Sequence, residues 1–266
     1  MKIAILGCAG RMGRTLLKET LDTEGCTLAG GLEPKGGLHL GTDIGVLAGE
    51  GEIGIAVTDD LETLAGAADA LIDFTTPAAT ITAAEACARH KTVHIIGTTG
   101  LTAKQQEQLE RYAKETPIVF APNMSVGVNL LAVLAEKVAA ALSATDFDIE
   151  VLEMHHNQKV DAPSGTALLL GRAAADGRGV ALSDVARYTR EGNTGARKKG
   201  EIGFATLRGG DVIGDHTVMF AGAGERIELT HKASSRAIYA RGALRAAKWA
   251  NGKKPGLYSM KDVLGI

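Results

Sequence analysis

M-K-I-A-I-L-G-C-A-G-R-M-G, Met1 to Gly13, is the stretch that decides the fold. Lys2 to Leu6 is a short apolar run stopped by Gly7, the pattern of a buried strand. From Arg11 onward, apolar Met12, Leu16, Leu17 and Leu21 form a helical stripe. Between strand and helix lies G-C-A-G-R-M-G. Glycines there let the chain turn tightly and approach a pyrophosphate, whose charge a helix N-terminus favours. The spacing is one residue longer than G-x-G-x-x-G, and a plain tight turn would also use glycines. Two features favour a dinucleotide site: the first-strand position, and Glu33, 20 residues after Gly13 at the end of the next strand-like run. A carboxylate there accepts hydrogen bonds from a ribose. Arg11 and Arg14 read equally as phosphate partners or surface cations.

Outward from this motif, strands and helices alternate. Thr27–Leu32, Ile53–Val57, Ala70–Phe74, Val93–Ile96 and Ile118–Ala121 read as further strands. Helices are expected near Leu61–Ala65, from Pro77 to His90, and after a Thr102/Gln105 capping box, with Pro117 closing the last. Six strands alternating with helices predict a doubly wound, mostly parallel, Rossmann-like α/β sheet. Gly97–Thr98–Thr99 and Ala121–Pro122–Asn123–Met124 fall at carboxyl ends of strands, where such sheets bind ligands.

After about Ser125 the pattern changes. A long helix, Val126–Leu142, precedes the strand-like Asp148–Met154, Ile202–Leu207, His216–Phe220 and Arg226–Leu229, with one clear helix, Ser164–Ala175, among them. Grouped strands predict a second, α+β domain with a mostly antiparallel sheet. Ser235 is positioned to cap a last helix running to about Ala250. Arg187 to Gly200 reads as a long loop, with Arg197, Lys198 and Lys199 solvated.

Composition excludes several classes. Lys+Arg number 29 against 31 Asp+Glu, and aromatics are 4%, which speaks against a nucleic-acid partner. No apolar run has the length of a membrane helix. Three scattered cysteines, Cys8, Cys26 and Cys87, give neither a disulfide framework nor a zinc site. With no signal-peptide pattern at the start, a cytoplasmic location is expected.

The second informative cluster is E-M-H-H-N-Q-K-V-D-A-P-S-G-T-A, Glu153 to Ala167. Adjacent histidines and a lysine lie at a strand end, and Ser164–Gly165–Thr166 opens a helix. Histidine exchanges protons near neutral pH, and lysine offers a compact positive charge. The N–H groups of Ser164, Gly165 and Thr166 make an anion site. Together they suit a small carboxylate with acid catalysis beside it. His90, His94, His216 and His231 are scattered in sequence and supply no third ligand at helpful spacing, so no metal is expected.

This string resembles the signature of the dihydrodipicolinate (4-hydroxy-tetrahydrodipicolinate) reductase family of lysine and diaminopimelate biosynthesis. G-C-A-G-R-M-G-R, I-D-F-T-T-P, I-G-T-T-G, N-M-S-V-G-V-N, Y-T-R-E-G-N-T-G, G-F-A-T-L-R-G-G-D and E-L-T-H-K-A-S-S-R extend the likeness along the whole chain. The resemblance implies a nucleotide domain over 1–125 plus the returning 236–266, and a substrate-binding and oligomerisation domain over 126–235. It implies a homotetramer with a small dicarboxylate substrate. The implied reaction is NADH- or NADPH-dependent reduction of the cyclic imine derived from 4-hydroxy-tetrahydrodipicolinate to tetrahydrodipicolinate. By the same resemblance His155 and Lys159 are catalytic proton donors, and His156, Gly165 and Thr166 hold substrate carboxylates. Gly7, Cys8, Ala9, Gly10, Arg11, Met12, Glu33, Gly97, Thr98, Thr99, Ala121, Pro122, Asn123 and Met124 contact the dinucleotide. After the acidic residue many members carry a basic one. Here Pro34 follows and Lys35 comes one later, which puts recognition of a 2′-phosphate in question. A semialdehyde or homoserine dehydrogenase would share the N-terminal half but leaves the His-His-Lys cluster unexplained. A non-catalytic NAD sensor would need neither proton donors nor a carboxylate site.

Overall fold

Ile3, Ala4, Ile5 and Leu6 are buried on both faces, as a continuous apolar run in a parallel sheet should be, and form β1 (Lys2–Leu6). The computed structural model describes residues 1–266. In chain order β1 is followed by α1 (Arg11–Asp22), β2 (Thr27–Leu32), α2 (Ile44–Ala48), α3 (Leu61–Ala67), β3 (Ala70–Asp73), α4 (Pro77–His90), β4 (Val93–Ile96), α5 (Ala103–Tyr112) and β5 (Pro117–Phe120). Then come α6 (Val126–Ala141), β6 (Asp148–His155), α7 (Gly165–Gly177), α8 (Leu182–Val185), β7 (Ala186–Arg187), β8 (Ile202–Arg208), β9 (Gly214–Gly222) and β10 (Glu225–Ala233). The chain ends with α9 (Ala237–Ala250), β11 (Gly256–Tyr258) and α10 (Met260–Leu264). Two compact units result: Met1–Val126 with Arg236–Gly265, and Gly127–Ser235 with Ile266. No helix is long and apolar enough to cross a membrane.

The first unit holds a parallel sheet of six strands in the order β11-β5-β4-β3-β1-β2. The count matches the expectation, but one member differs. Ile53–Val57 is not a strand. The Asp43 carboxylate accepts the N–H groups of Ile53, Gly54 and Ile55 at 2.7–3.1 Å, so a side chain takes the donors a ladder would need. Only isolated bridges, Asp43 with Ala56 and Leu32 with Thr58, remain. The sixth place goes to β11, a three-residue edge strand too short to announce itself by periodicity. Pro117 opens β5, where a first-residue proline costs no ladder bond.

Helix α9 completes this unit. Its Ala240, Ala243, Leu244 and Ala247 pack with Ile5, Ile72 and Ile95 in the core. Gly242 allows the close approach, since a Cβ there would lie 1.8 Å from the Met124 carbonyl oxygen. Arg236, not Ser235, stands at its N-cap, without a side-chain cap. The Thr102/Gln105 capping box of α5 forms as expected.

The second unit carries a five-stranded mixed sheet, β10-β9-β6-β8-β7. The two antiparallel ladders, β9–β10 and β6–β9, are joined to parallel β6–β8 and β7–β8. One face is dry: Ile149, Val151, Phe204, Val218 and Phe220 pack with Leu131, Ala135, Leu170 and Ala174 of α6 and α7. Leu152, Met154 and Met219 on the opposite face stay half-buried, and Leu207 is 48% exposed. Between β7 and β8 runs the expected loop. Arg197 is not solvated, however: its guanidinium donates to Glu150 Oε1 (3.0 Å), Asp148 Oδ1 (2.7 Å) and the Ile149 and Glu201 carbonyls. Arg190 adds a bidentate pair to Glu150, both bonds 2.8 Å. These contacts pin the loop to the start of β6.

Candidate functional site

In the first unit, Gly7 turns the chain out of β1 with φ +64°, a conformation that favours glycine. Gly13 is packed against that turn: a Cβ would meet the Gly7 carbonyl oxygen at 2.1 Å and the Cys8 Cα at 2.6 Å. At the start of α1 the N-cap is Gly10, and no side chain caps the helix. The Glu33 carboxylate reaches this loop and accepts the Ala9 N–H at 2.8 Å. Burial, then the Glu33 charge, push the Cys8 thiol up to about 12, so it stays neutral and packs as a small apolar group. A glycine cradle, an uncapped helix start and a carboxylate at the end of β2 fit the pyrophosphate and ribose of a dinucleotide. Arg14 Nε donates to the Ala9 carbonyl at 2.9 Å and so braces the loop, while Arg11 is exposed.

The other two predicted loops lie at the carboxyl ends of β4 and β5 in the same sheet. Thr98 is buried. Its hydroxyl donates to Asp73 Oδ1 (3.0 Å) and accepts the Thr75 N–H (2.9 Å). This ties the Gly97–Thr99 loop to the end of β3, and Thr99 is left exposed. In the Ala121–Met124 loop the Asn123 side chain accepts the Ser125 N–H at 2.8 Å, which closes a turn, and Met124 is fully buried.

In the second unit, β6 carries its core side chains at Ile149, Val151, Glu153 and His155. The alternation that buries the first two forces the last two inward as well. Glu153 is 1% exposed and His155 8%. His155 Nδ1 and Arg208 Nη1 (3.0 Å) donate to Glu153 Oε2. Arg208 Nη2 (3.1 Å) and the Ser164 N–H (3.0 Å) donate to Oε1. Burial alone would raise this carboxyl, but the bonds from His155, Arg208 and Ser164 outweigh it and hold it at about 2. Ser164 caps α7, its Oγ accepting the Ala167 N–H at 3.1 Å and contacting His216 Nε2 at 3.2 Å. The His155 and His216 rings meet edge-on with centroids 5.0 Å apart. Lys159, on the loop after β6, donates from Nζ to Asp161 Oδ1 at 2.7 Å. His156, Gly165 and Thr166 follow on the same loop and helix start.

Two expectations need correction. Of the three N–H groups expected to bind an anion, that of Ser164 is already taken by Glu153. His216 is distant from His155 in sequence, yet β6–β9 pairing sets it directly opposite Glu153. Glu153, His155 and His216 thus bring potential metal ligands within 4.8 Å of one another. The donor chemistry does not suit a cation: both Glu153 oxygens are occupied by N–H donors, two of them from the Arg208 guanidinium. Sequence reasoning assigned no role to Glu153, Arg208 or His216. The first two stood inside quoted motifs, but only the β6–β8 register, which sets Arg208 beside His155, shows them to be partners.

Burial, followed by the His155 charge, pushes His216 down to about 4. Its folded value therefore lies below its unfolded one of about 6.5. The stability this neutral ring contributes is complete above about pH 6.5 and is lost as pH falls toward 4. At about 1.4 kcal/mol per pH unit the loss is roughly 3 kcal/mol. Unfolding free energies from urea titrations should therefore drop between pH 7 and pH 4 in the wild type, with roughly this much of the drop due to His216. They should fall clearly less in His216→Gln, which keeps an acceptor for Ser164 but cannot titrate. Equal slopes would remove His216 from the account.

Two family models cover the chain: "Dihydrodipicolinate reductase, N-terminus" over residues 1–124 and "Dihydrodipicolinate reductase, C-terminus" over 127–264. A 4-hydroxy-tetrahydrodipicolinate reductase of Parvibaculum lavamentivorans is 58% identical over 267 residues, covering 100% of this chain and 98% of that protein. The enzyme of the same name from Brucella abortus is 54% identical, covering 100% and 99%. Among solved structures, the dipicolinate-bound dihydrodipicolinate reductase of Paenisporosarcina sp. TG-14 matches with a TM-score of 0.75 at 28% identity, covering 97% of each chain.

Proposed function

The chain belongs to the dihydrodipicolinate reductase family of lysine and diaminopimelate biosynthesis, and on that premise we propose how its residues divide the reaction. The enzyme is an oxidoreductase that reduces the cyclic imine derived from 4-hydroxy-tetrahydrodipicolinate to tetrahydrodipicolinate. In this reading Gly7 to Met12 and Glu33 bind the dinucleotide, and Gly97 to Thr99 and Ala121 to Met124 line its nicotinamide end. A bound reduced nicotinamide supplies the hydride.

Residues of the second unit do the rest. Gly165 and Thr166 present N–H groups to one substrate carboxylate, and His156 assists. His155, held on Glu153, delivers the proton that quenches the electron density left on the ring. Lys159 is the second donor, its ammonium kept in place by Asp161. The observation that carries the reading is the adjacency of a histidine acid and a helix start through one carboxylate, Glu153. A dipicolinate-bound relative supports a dicarboxylate ligand.

The test is oxidation of NADH, followed at the reduced-nicotinamide absorbance band, with substrate generated enzymatically in the cuvette. Oxidation that needs both substrate and enzyme supports the reading, and its absence refutes it. The same assay reads cofactor choice. Glu33 accepts from ribose hydroxyls and repels a 2′-phosphate at close range, while exposed Lys35 partly offsets the repulsion. Both cofactors should work, with NADH at least as good. A strong NADPH preference that survives Lys35→Ala would contradict this.

The half-exposed sheet face with Leu152, Met154, Met219 and Leu207 supports assembly through this unit, and a homotetramer is the proposed state. Light scattering on the purified enzyme measures it, a monomeric mass being the contrary result.

A further inference from the structure

We infer that Glu153 is a positioning residue whose single carboxylate both orients the ring of His155 and anchors the helix start at Ser164, so that proton donor and carboxylate-binding turn are set by one group. The inference deepens the reading above, in which His155 is the acid and the start of α7 holds substrate.

A charge beneath a sheet, beside Val151 and near Val218, is expensive unless it is fully paired. Glu153 has four donors, one for each lone-pair direction of a carboxylate: His155 Nδ1, the Ser164 N–H and both Arg208 terminal nitrogens. Three consequences follow. First, an ionised carboxylate accepts only, so the His155 proton facing it resides on Nδ1. Nε2 is then the nitrogen that exchanges a proton with substrate. Second, with its N–H on Glu153 and its Oγ accepting from Ala167, Ser164 turns its hydroxyl proton to His216 Nε2. His216 accepts because it is neutral. Third, Arg208 Nη2 also reaches the Asp161 carbonyl at 2.6 Å, and Asp161 holds Lys159. The Glu153–Arg208 pair thus touches the strand end, the helix start and the lysine loop together. A site of this kind works only if its donors keep their mutual geometry.

The first readout is the ring-nitrogen NMR spectrum of the intact wild-type enzyme, assigned with His155→Gln. Neutral His155 should carry its proton on Nδ1 alone. A proton on Nε2, or a mixture of tautomers, overturns the proposal. The second uses Glu153→Met/Arg208→Met. Replacing a buried pair by apolar residues is often neutral for stability, so the double variant should fold where Glu153→Met alone leaves a buried guanidinium unpaired. Its kcat should fall about 10- to 100-fold, and substrate KM should rise, while NADH affinity stays at the wild-type value. A folded double variant with unchanged kcat and KM overturns the proposal. If it does not fold, the wild-type spectrum alone decides. Failure of the underlying reading is separable: it appears as wild-type kcat in His155→Ala, whatever tautomer is found.

Discussion

His155→Ala and Lys159→Ala should each lower kcat by about 10²–10⁴-fold, the usual worth of a positioned proton donor. The expectation rests on placement. His155 ends β6 facing inward at 8% exposure, with Nδ1 committed to Glu153. Lys159 lies four residues on, bonded only to an exposed aspartate that can release it. Hydride addition leaves electron density on the substrate ring that only a proton can quench. Neither side chain belongs to the unit carrying the glycine loop, so NADH affinity should be unchanged in both variants. Substitutions that obstruct the Gly165 and Thr166 N–H groups should instead raise KM for substrate at nearly constant kcat. Steady-state kinetics with a direct NADH titration separate these cases. Two variants that both retain near-wild-type kcat would remove acid catalysis from this cluster.

Gly13→Ala should damage both folding and cofactor binding in the first unit. Its new methyl would stand 2.1 Å from the Gly7 carbonyl oxygen and 2.6 Å from the Cys8 Cα. Both obstacles are backbone, so no rotamer change relieves the overlap. Overpacking of this kind costs about 1–3 kcal/mol, and relief requires α1 to retreat from the glycine loop. NADH should therefore bind at least about tenfold more weakly, as the loss of roughly one well-placed charged hydrogen bond would predict. Gly177→Ala is the matched control. Its methyl would meet the Glu136 carbonyl oxygen at the same 2.1 Å, a backbone clash in the other unit. It should destabilise to a similar degree and leave NADH affinity intact. Equal loss of NADH affinity in both variants would show a general folding defect and not a nucleotide loop at Gly13.

Much of the first unit was legible because its signals are local. The Gly7–Gly13 turn, the α1 stripe, Pro77 at the start of α4 and the α5 capping box are each written within a few residues, and all are present. The misassigned Ile53–Val57 has strand composition, but Asp43, ten residues earlier, claims its amides, and composition cannot register that. The missed β11 is three residues long and exists through pairing with β5. The site shows the same division. His155, Lys159 and the α7 start stand within one motif and can be read in line. Arg208 and His216 join them only through strand register, at separations of more than 50 residues. A reading that stops at His155 misses what aims it.

The central claim is that the Gly127–Ser235 unit holds the dicarboxylate while the other unit holds the nicotinamide. Calorimetric titration tests it most directly, with pyridine-2,6-dicarboxylate and NADH titrated separately into the wild type and His156→Ala/Thr166→Pro. The planar ring mimics the substrate but cannot be reduced. Proline at 166 removes an N–H at a first-turn position where helices tolerate it. The expected result is a loss of dicarboxylate affinity with an unaltered NADH dissociation constant. Unchanged dicarboxylate affinity, or an equal fall for both ligands, would contradict the account.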